Sequence, residues 1–358
     1  MSGAAPMTPI RPAARAYAIL ARAFGRAEPG RVKVLLTGGT GFLGKNVARA
    51  LTARGHEVRL LAREGSNLAG LPAGDIARGD VCDAASVRRA AEGCQAVLHM
   101  AALVKMWVPD RGAFDRVNVD GLRAALAAAE AVGARLVYTS SFMAIGPTTA
   151  QPADESQIHP GHSFRNDYER TKAHADVIAR EAAGAGRDVV LLYPGVVYGP
   201  GDRTAGNIVV NMIADHLRGR FPGVIGPGDR LWSYSFVEDV AAGHVEALEK
   251  GRAGERYLLA GDNVDMNGFF HQLAEVAGVA APRLHIPYAA ASAMGWMLYA
   301  WAELTGAEPL LTHEVVGVFR EHWAYTSAKA ERDLGYHTTP LRDGLRRTLD
   351  WLRSAPAA

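Results

Sequence analysis

Short apolar runs alternate with longer amphipathic segments along most of the chain. From Arg31 onward, each apolar run is followed by a segment whose apolar positions recur every three or four residues. The runs are typical of strands buried on both faces, and the segments are typical of helices that pack one face on a sheet. The predicted strands are Val32–Leu36, Glu57–Ala62, Ala96–Met100, Leu136–Thr139 and Val189–Tyr193. The alternation predicts a parallel sheet covered by helices on both faces.

A glycine-rich turn lies between the first predicted strand and a helix in which Leu43, Val47 and Leu51 face the sheet. In Thr37–Gly44 (TGGTGFLG), glycines recur at every third position. Such glycines permit a tight turn, close approach of a pyrophosphate and close packing of helix on strand, while the helix N-terminus offers N–H donors. The turn therefore predicts a dinucleotide site. Its residues are Gly38, Thr40, Gly41, Phe42, Leu43 and Gly44.

Two further positions bear on the dinucleotide. Asp80, followed by Val81, lies where a third strand should end, and its carboxylate could accept a hydrogen bond from the adenine amino group; a solvated turn residue is the alternative. The second strand ends at Ala62 and Arg63 rather than at the acidic residue that would bind the ribose hydroxyls of NAD. Arg63 would pair with a 2′-phosphate, but Glu64 would compete for it. The cofactor is predicted as NADP, with NAD as the alternative.

The chain is predicted to divide into three regions. Residues 1–30 form a basic extension, residues 31–200 a dinucleotide-binding domain, and residues 201–358 a smaller substrate-binding lobe interleaved with the last sheet elements. The lobe carries Gly- and Pro-rich stretches and a late helical block from Ala289 to His322. The predicted fold class is α/β, a Rossmann-type doubly wound parallel sheet with a smaller C-terminal substrate-binding lobe.

The N-terminal extension has no acidic residue from Met1 to Ala27, whereas four arginines recur within it. This pattern indicates an organelle-targeting segment; a disordered tail, a mistaken start site or a basic helix lying on a membrane are the alternatives. The predicted location is the cytoplasm, or a chloroplast or mitochondrion if the segment is a targeting peptide. The arginines are Arg11, Arg15, Arg22 and Arg26.

Composition narrows the classes of function. The 39 basic and 37 acidic side chains nearly cancel, which gives no support for nucleic acid as a partner. With 49% hydrophobic and 21% charged residues, the chain is typical of a soluble globular protein. Cys82 and Cys94 are the only cysteines and form no CxxC pair, so neither a metal site nor a disulfide framework is expected.

The candidate catalytic residues are Tyr168, Lys172 and Ser141. Tyr168 and Lys172 are four residues apart and share one face if the segment is helical. A neighbouring ammonium stabilises phenolate and can lower the pKa of a tyrosine, normally near ~10, by roughly 1–3 units. Ser141 follows a predicted strand, where ligands bind in open α/β sheets, and Thr139 and Ser140 are further hydroxyl candidates.

Together these motifs resemble the extended short-chain dehydrogenase/reductase family, that is, the NAD-dependent epimerase/dehydratase family, over nearly all of Val32–Leu352. The resemblance implies that Tyr168 is the acid/base, that Lys172 tunes it and holds the nicotinamide ribose, and that Ser141 polarises the substrate oxygen. Asn118 would support the site, or cap or pack a helix. The further cofactor residues implied are Ala101, Ala102, Tyr193, Pro194, Gly195 and Val196.

The substrate is predicted from what surrounds the motif Phe236–Val240. Members that act on sugar nucleotides commonly carry an arginine a few residues earlier, where this chain has Leu231–Ser235; a shifted Arg230 keeps that alternative open. Within the family the chain is most similar to dihydroflavonol-reductase-like proteins and to plant-type farnesol dehydrogenase. We therefore expect an NAD(P)-dependent oxidoreductase acting on an apolar alcohol or carbonyl, such as an isoprenoid, flavonoid or steroid. A sugar-nucleotide epimerase or dehydratase, or a non-catalytic subunit of a larger assembly, is the alternative.

An uncharged stretch, Tyr288–Ala302, is rich in aromatic and methionine side chains. It is shorter than the ~20 residues that span a bilayer, so it is interpreted as a buried or pocket-lining helix, with an interfacial helix at a membrane as the alternative. Peripheral membrane contact and a homodimer are therefore both candidate interactions. The substrate-contacting candidates are Val104, Trp107, Phe142 and Trp232.

Overall fold

The fold is a three-layer α/β arrangement, seen in a computed structural model that describes residues 30–204 and 206–354. The strands are β1 (Lys33–Thr37), β2 (Glu57–Ala62), β3 (Asp75–Arg78), β4 (Ala96–His99), β5 (Arg135–Thr139), β6 (Val189–Pro194), β7 (Val196–Tyr198), β8 (Val224–Ile225), β9 (Leu231–Phe236), β10 (Arg256–Leu259), β11 (Asp262–Asp265) and β12 (His285–Ile286). The α-helices are α1 (Phe42–Ala53), α2 (Ala84–Ala91), α3 (Gly112–Asp115), α4 (Gly121–Val132), α5 (Asp167–Gly184), α6 (Ile208–Leu217), α7 (Val237–Lys250), α8 (Met266–Ala277), α9 (Tyr288–Thr305), α10 (His313–Val318), α11 (Ala328–Leu334) and α12 (Leu341–Ser354). A π-helical turn, Arg116–Asp120, joins α3 to α4, and a 3₁₀ turn, Phe142–Ile145, follows β5.

Seven strands form the main sheet in the order β10-β6-β5-β4-β1-β2-β3. Each neighbouring pair in this sheet is parallel. The order reverses between β1 and β4, where Thr37 lies beside His99 in register. In open α/β sheets ligands bind at the carboxyl ends of the strands next to this reversal. The sequence-based prediction of a doubly wound parallel sheet is confirmed.

The central strands are apolar because both of their faces are covered. Along β1, Leu35 packs into one buried cluster, and its neighbours Val34 and Leu36 pack into the other. Along β4, Val97 and Leu98 divide in the same way. Since successive side chains of a strand point to opposite faces, an all-apolar strand requires helices on both sides.

Two expectations about individual elements need correction. The third strand, β3, ends at Arg78, two residues before Asp80, and most of its residues are exposed at the sheet edge, so no apolar run marked it. The late helical block is not continuous. Helix α9 stops at Gly306, which has a left-handed conformation (φ +72°), and α10 begins after Thr312, whose side chain accepts a hydrogen bond from Val315 N. Glycine adopts this conformation without steric cost, so it ends the helix.

The C-terminal part contributes both to the main sheet and to its own core. Strand β10 extends the main sheet, while β7, β9 and β11 form a second sheet, and β8 pairs with β12. Tyr234, Phe236 and Phe269 lead a third buried cluster under this second sheet. The three-region division stays a prediction. The N-terminal extension lies outside the described residues apart from Gly30.

Candidate active site and dinucleotide-binding turn

The glycines of the turn after β1 differ in what surrounds them. Gly38 has a positive φ of +72°, and a side-chain carbon there would lie 2.6 Å from Ala101 N. At Gly44 such a carbon would lie 2.2 Å from the carbonyl oxygen of Gly38, so these two glycines serve close packing of the backbone. At Gly41 it would meet only that same carbonyl, at 3.3 Å. The space beside Gly41 is therefore open, and its glycine is explained by a ligand that approaches the backbone.

The N-terminus of α1 has the donors that a pyrophosphate needs. Gly41 is the N-cap residue, and no side chain among the described residues caps the helix. Thr40 and Leu43 are half-buried at its start, whereas Phe42 is buried and packs close to Gly201. Uncapped N–H groups and the partial positive charge of the helix favour an anion here. The turn thus fits a dinucleotide, as its sequence predicts.

Thr37, which the sequence-based site did not include, holds the neighbouring loop against the turn. Its Oγ1 lies 3.0 Å from His99 Nδ1 and accepts hydrogen bonds from the backbone N–H groups of Met100 and Ala101, at 3.2 Å each. The predicted cofactor residues Ala101 and Ala102 lie in this loop and are half-buried. Thr37 is the last residue of a buried strand and directly precedes the glycine-rich turn. This position in the sequence could have identified Thr37 as a residue of the site.

The predicted adenosine end of the site contains more charge than expected. Asp80 Oδ1 accepts a hydrogen bond from Cys82 N at 2.9 Å, and Arg63 is exposed. Burial raises the pKa of the Cys82 thiol to about 11, while Arg63 is close enough to act in the opposite direction. Arg78, at the end of β3, donates to the Arg63 carbonyl at 3.1 Å and lies 3.9 Å from Glu64. The guanidinium groups of both Arg63 and Arg78, rather than that of Arg63 alone, therefore lie at the predicted adenosine end of the site.

Val81 lies at the same end of the site and serves packing. Helix α4 begins at Gly121. A side-chain carbon placed on that glycine would lie 3.4 Å from the side chain of Val81, so Val81 packs on the start of the helix. Sequence reasoning missed Arg78 because it lies in a short, exposed edge strand.

Ser141, Tyr168 and Lys172 come together at the carboxyl edge of β5. Ser141 is buried and caps the 3₁₀ turn, accepting a hydrogen bond from Met143 N at 3.2 Å. Tyr168 and Lys172 lie in the first two turns of α5, which packs against the 3₁₀ turn. Lys172 is 2% exposed, and its Nζ donates to the Thr139 carbonyl at 2.9 Å.

The other two hydroxyl candidates are placed differently from Ser141. Thr139 Oγ1 is engaged with His244 Nε2 at 2.9 Å, and His244 Nδ1 lies 2.7 Å from the Val240 carbonyl, to which it donates. The hydroxyl of Thr139 therefore turns away from the site. Ser140 Oγ is buried and has no hydrogen-bond partner among the described residues. Ser141 is thus the hydroxyl that the fold places next to Tyr168.

Burial dominates the protonation of this site. It raises the pKa of Tyr168 to about 12, against a smaller lowering by the Ser141 hydroxyl. It also lowers the pKa of Lys172 to about 7, against Asp176, which acts to raise it. The sequence-based expectation that the pKa of Tyr168 is lowered is wrong, because burial raises it. The reason is that burial of the phenol itself outweighs the groups that would lower its pKa.

His99 adds to the apolar character of this region. Burial, and next the charge of Lys172, lower its pKa to about 3, so its ring is neutral at physiological pH. The ring stacks on Tyr138, with centroids 6.0 Å apart, and its Nε2 has no partner among the described residues. Lys172 Nζ lies 5.2 Å from the centroid of the same Tyr138 ring.

Asn118 connects the cofactor loop to the catalytic helix. Its Oδ1 accepts a hydrogen bond from Leu103 N at 2.7 Å, and its Nδ2 donates to Thr171 Oγ1 at 3.0 Å. Thr171 directly precedes Lys172 in α5. Asn118 lies in the π-helical turn, which is a frequent feature of functional sites. Its bonds make it a positioning residue for both elements.

A buried charged network beside Tyr168 was not foreseen. Glu169 is fully buried; its carboxylate accepts from Arg165 NH1 at 2.7 Å and from Arg165 N at 2.8 Å, and lies 3.0 Å from His159 Nε2. Arg165 also pairs with Glu321 at 3.0 Å. The network attaches the loop before α5 to the C-terminal part of the chain. In the sequence, Glu169 reads as an ordinary exposed helical glutamate.

The predicted cofactor residues after β6 are mostly buried. The hydroxyl of Tyr193 donates a hydrogen bond to Asp176 Oδ1 at 2.6 Å, so its side chain is bound within the protein interior. Pro194 ends β6 and is buried, and Val196 is half-buried. At Gly195 a side-chain carbon would lie 2.6 Å from Ser235 Oγ, so the glycine permits close packing on β9. In this stretch Val196 is the predicted residue whose side chain is accessible to a cofactor.

Aromatic side chains line the region beyond the 3₁₀ turn. Phe142 meets Trp323 edge to face, with ring centroids 5.3 Å apart. Trp232 stacks on Phe319 at 5.0 Å and forms a backbone bridge with Trp323. Phe319 and Trp323 were not predicted, because Phe319 fell within the supposed helical block and Trp323 directly follows it. The alternation of Trp323 and Tyr325 was the available signal for an extended segment.

Trp107 and Val104 lie in the loop that faces α9. Trp107 is 5% exposed, and its Nε1 donates to Glu303 Oε1 at 2.8 Å; Val104 is half-buried. Lys105 pairs with Glu308 at 2.7 Å. The interpretation of α9 as a buried helix is wrong, since only Ala291, Gly295 and Ala302 of it are buried, while its role as a pocket-lining helix stays a prediction.

No group of three or more His, Cys, Asp or Glu residues in ranges 30–204 and 206–354 is arranged to hold a metal ion. Over the same ranges, no helix has the length and apolarity needed to cross a bilayer.

Comparisons with known proteins agree with this geometry. Residues 34–260 match the NAD dependent epimerase/dehydratase family. The chain belongs to this family. The sequence-based predictions of family, fold and an oxidoreductase enzyme are confirmed, and the family is NAD-dependent.

Three similar proteins cover most of the chain. It is 33% identical to a putative dihydroflavonol 4-reductase from Synechocystis sp., over 89% of this chain and 94% of that protein. It is also 33% identical to a 2-alkyl-3-oxoalkanoate reductase from Stenotrophomonas maltophilia, over 88% of this chain and 98% of that protein. The structure of UDP-glucose 4-epimerase from Thermus thermophilus in complex with NAD matches 90% of this chain and 100% of that one, with a TM-score of 0.71 and 25% identity.

Proposed function

We propose that this protein is a nicotinamide-dependent reductase of apolar ketones, which also oxidises the corresponding alcohols. The observation that carries the proposal is the meeting of Ser141, Tyr168 and Lys172 at the carboxyl edge of the sheet, beside an open dinucleotide turn and an aromatic surface. The names of two relatives, both reductases of carbonyl compounds, support the direction and the substrate class.

The chain supplies the proton and the binding groups of the reaction. The dinucleotide, when bound, supplies the hydride that reduces the carbonyl carbon. Ser141 donates a hydrogen bond to the carbonyl oxygen, and the Tyr168 phenol transfers a proton to the same oxygen as it gains charge. Because burial keeps the pKa of Tyr168 at about 12, the phenol is protonated at neutral pH, the form required for reduction. Lys172 binds the cofactor ribose and returns a proton to the phenolate.

The apolar substrate is supported by the aromatic surface. Phe142, Trp232 and Phe319 are half-buried beside the 3₁₀ turn. Phe142 packs on the fully buried Trp323, and Trp232 stacks on Phe319. Arg230, which could serve a sugar diphosphate, lies directly before β9, and one of its guanidinium nitrogens, Nη1, donates to His322 Nε2 at 2.9 Å and is therefore already engaged. Each methylene that such a surface buries contributes roughly 0.8 kcal/mol, which is about a fourfold gain.

A chain-length series tests the substrate class. We expect kcat/KM for aliphatic ketones and allylic alcohols to rise with chain length and then level off. Trp232→Ala should flatten the rise, whereas Phe221→Ala, which removes a half-buried aromatic ring that packs on Phe270, should leave it unchanged. Rates independent of length, or strong competitive inhibition by a nucleoside diphosphate sugar, would instead favour the epimerase function of the Thermus relative.

For the cofactor we propose NADP, supported by Arg63 together with Arg78. Arg63→Ala and Arg78→Ala should each weaken NADP binding by ~1.5–3 kcal/mol, the contribution of a charge-assisted hydrogen bond, and leave NAD binding nearly unchanged. Arg346→Ala, on the surface of α12, is the control. Calorimetry showing equal losses for both dinucleotides would refute the role of these arginines. Tighter binding of NAD by the wild type would show that Glu64, rather than Arg63, decides the preference.

A further inference from the structure

Residues 319–325 join the aromatic surface to the 3₁₀ turn that follows β5. Trp323 is fully buried and packs edge to face on Phe142 in that turn, with ring centroids 5.3 Å apart. The hydroxyl of Tyr325 donates a hydrogen bond at 2.6 Å to the carbonyl of Gly146, which ends the turn. The position of this segment therefore decides where the aromatic surface lies relative to the catalytic hydroxyls.

Arg165 bridges this segment and the catalytic helix α5. One guanidinium nitrogen, Nη1, donates to Glu169 Oε1 at 2.7 Å, and the other, Nη2, donates to Glu321 Oε1 at 3.0 Å. The guanidinium carbon lies 5.5 Å from the centroid of the Trp323 ring. Glu169 directly follows Tyr168 in α5. A single side chain thus connects the helix of the acid/base residue to the aromatic segment.

The Glu169 end of this bridge is held from several sides. Glu169 is fully buried, and its carboxylate also accepts a hydrogen bond from the backbone N–H of Arg165 at 2.8 Å. His159 Nδ1 accepts a hydrogen bond from Gly161 N at 3.0 Å, so its Nε2 carries the ring hydrogen and donates to Glu169 at 3.0 Å. This end is therefore fixed independently of Glu321.

The Glu321 end depends on Arg165. The side chain of Glu321 is 39% exposed, and in the part of the chain that the structure describes its carboxylate pairs with Arg165. The backbone of Trp323 donates to β9 at 2.7 Å and accepts from it at 2.9 Å, while the carbonyl of Phe319 accepts a hydrogen bond from Tyr288 in α9 at 2.8 Å. These two anchors hold the segment to β9 and to α9. The pair with Arg165 is the contact that holds it to α5.

The geometry of the guanidinium suits this bridge. Arginine is planar and presents its nitrogens in a rigid fork, so it can hold two carboxylates at fixed positions. Lysine carries one ammonium on a flexible chain and would keep the buried Glu169 as its partner without holding Glu321 in the same geometry. The side chain of Arg165 is 17% exposed, so solvent ions screen the bridge only weakly.

We propose that Arg165 is a positioning residue that sets substrate specificity, because it fixes residues 319–325 relative to Tyr168. A long apolar ketone then contacts the aromatic surface while its carbonyl lies at Tyr168. A short ketone does not extend over that surface and does not depend on the bridge. The specificity role rests on the proposed function; the bridge itself does not.

The chain-length series of ketones tests this role in two variants. Glu321→Ala should raise KM for the longest ketones by about fourfold for each methylene that loses its contact, and leave kcat and the KM of the shortest ketone unchanged. Arg165→Lys should weaken the length dependence in the same way, because lysine keeps Glu169. The double variant should match the single ones, since both changes remove one bond. Glu130→Ala, which removes a comparable pair with Arg187 at 2.9 Å, is the control and should behave as the wild type does.

The pattern of losses separates this role from a merely structural one. Equal losses for short and long ketones in both variants would overturn the proposal, and so would a length dependence that neither variant changes. Hydrogen exchange needs no substrate: the backbone amides of residues 319–325 should exchange faster in both variants than in the wild type and in the Glu130→Ala control. Exchange at the wild-type rate would show that Arg165 does not hold the segment and would also overturn the proposal.

The two measurements distinguish failure of this inference from failure of the proposed function. Wild-type rates that do not vary with the length of the ketone would refute the proposed function, and with it the specificity role of Arg165. Faster exchange in the two variants would still confirm the bridge in that case.

Discussion

Replacing Lys172 should stabilise the cofactor-free protein at neutral pH, although the same change should remove activity. Burial lowers the pKa of this lysine from 10.5 to about 7. At ~1.4 kcal/mol per unit, the shift corresponds to roughly 5 kcal/mol of unfavourable free energy for keeping the charged form buried. A lysine held in this way lowers stability, as expected where a residue is kept for the catalytic role that we propose for Lys172. Methionine has a similar length without the charge.

The sign of the pH dependence follows from the direction of the shift. Between about pH 7 and pH 10.5 the unfolded chain binds the proton that the folded protein releases, so the stability of the wild type rises with pH in that window. The loss of stability caused by the buried lysine is about 4 kcal/mol near pH 7 and roughly 1–2 kcal/mol near pH 9.5. Lys172→Met removes it but also deprives the Thr139 carbonyl of its donor, which costs ~1–3 kcal/mol.

Urea denaturation of both proteins measures the difference. Lys172→Met should be more stable by about 1–3 kcal/mol near pH 7, and this advantage should shrink by about 3 kcal/mol near pH 9.5. Lys105→Met, at a solvent-accessible ion pair, is the control and should change stability equally at both pH values. A difference between Lys172→Met and the wild type that does not vary with pH would refute the reasoning, since it would mean that burial does not lower the pKa of Lys172 in the folded protein.

Three further changes test the site. Tyr168→Phe should lower kcat by ~10²–10⁴-fold with nearly unchanged cofactor affinity, because only the proton donor is lost; full activity would remove Tyr168 from the mechanism. Gly41→Val should abolish dinucleotide binding in calorimetry while the protein stays folded, whereas Gly44→Ala should destabilise the fold itself, and unchanged affinity in the first variant would disprove the turn as the binding site. Glu169→Gln should lower the free energy of unfolding by about 3 kcal/mol, because the fully buried carboxylate that Arg165 and His159 contact loses its charge and Arg165 keeps only Glu321; a loss under about 1 kcal/mol would show that the network is dispensable.

Much of the fold was predictable because its signals are local. The apolar runs at β1, β2, β4, β5 and β6 follow directly from burial on both faces, and the glycine spacing of the turn follows from backbone geometry. Where the local signal was weak, the prediction was incomplete. Strand β3 is exposed at the sheet edge, and the late helical block conceals a break at Gly306 that depends on a single residue.

The sequence by itself determined which side chains could perform the chemistry, since Tyr168 and Lys172 need only helical spacing to share a face. The tertiary structure decided their environment. Burial by residues distant in sequence reverses the expected direction of the pKa of Tyr168, and Thr139 is turned away by His244 from another helix. The same holds for α9, whose apolar residues read as buried but are exposed. The periodicity of apolar residues predicts which side chains share one face of a helix. Whether that face packs on the core or is exposed to solvent depends on long-range packing, which the local sequence does not encode.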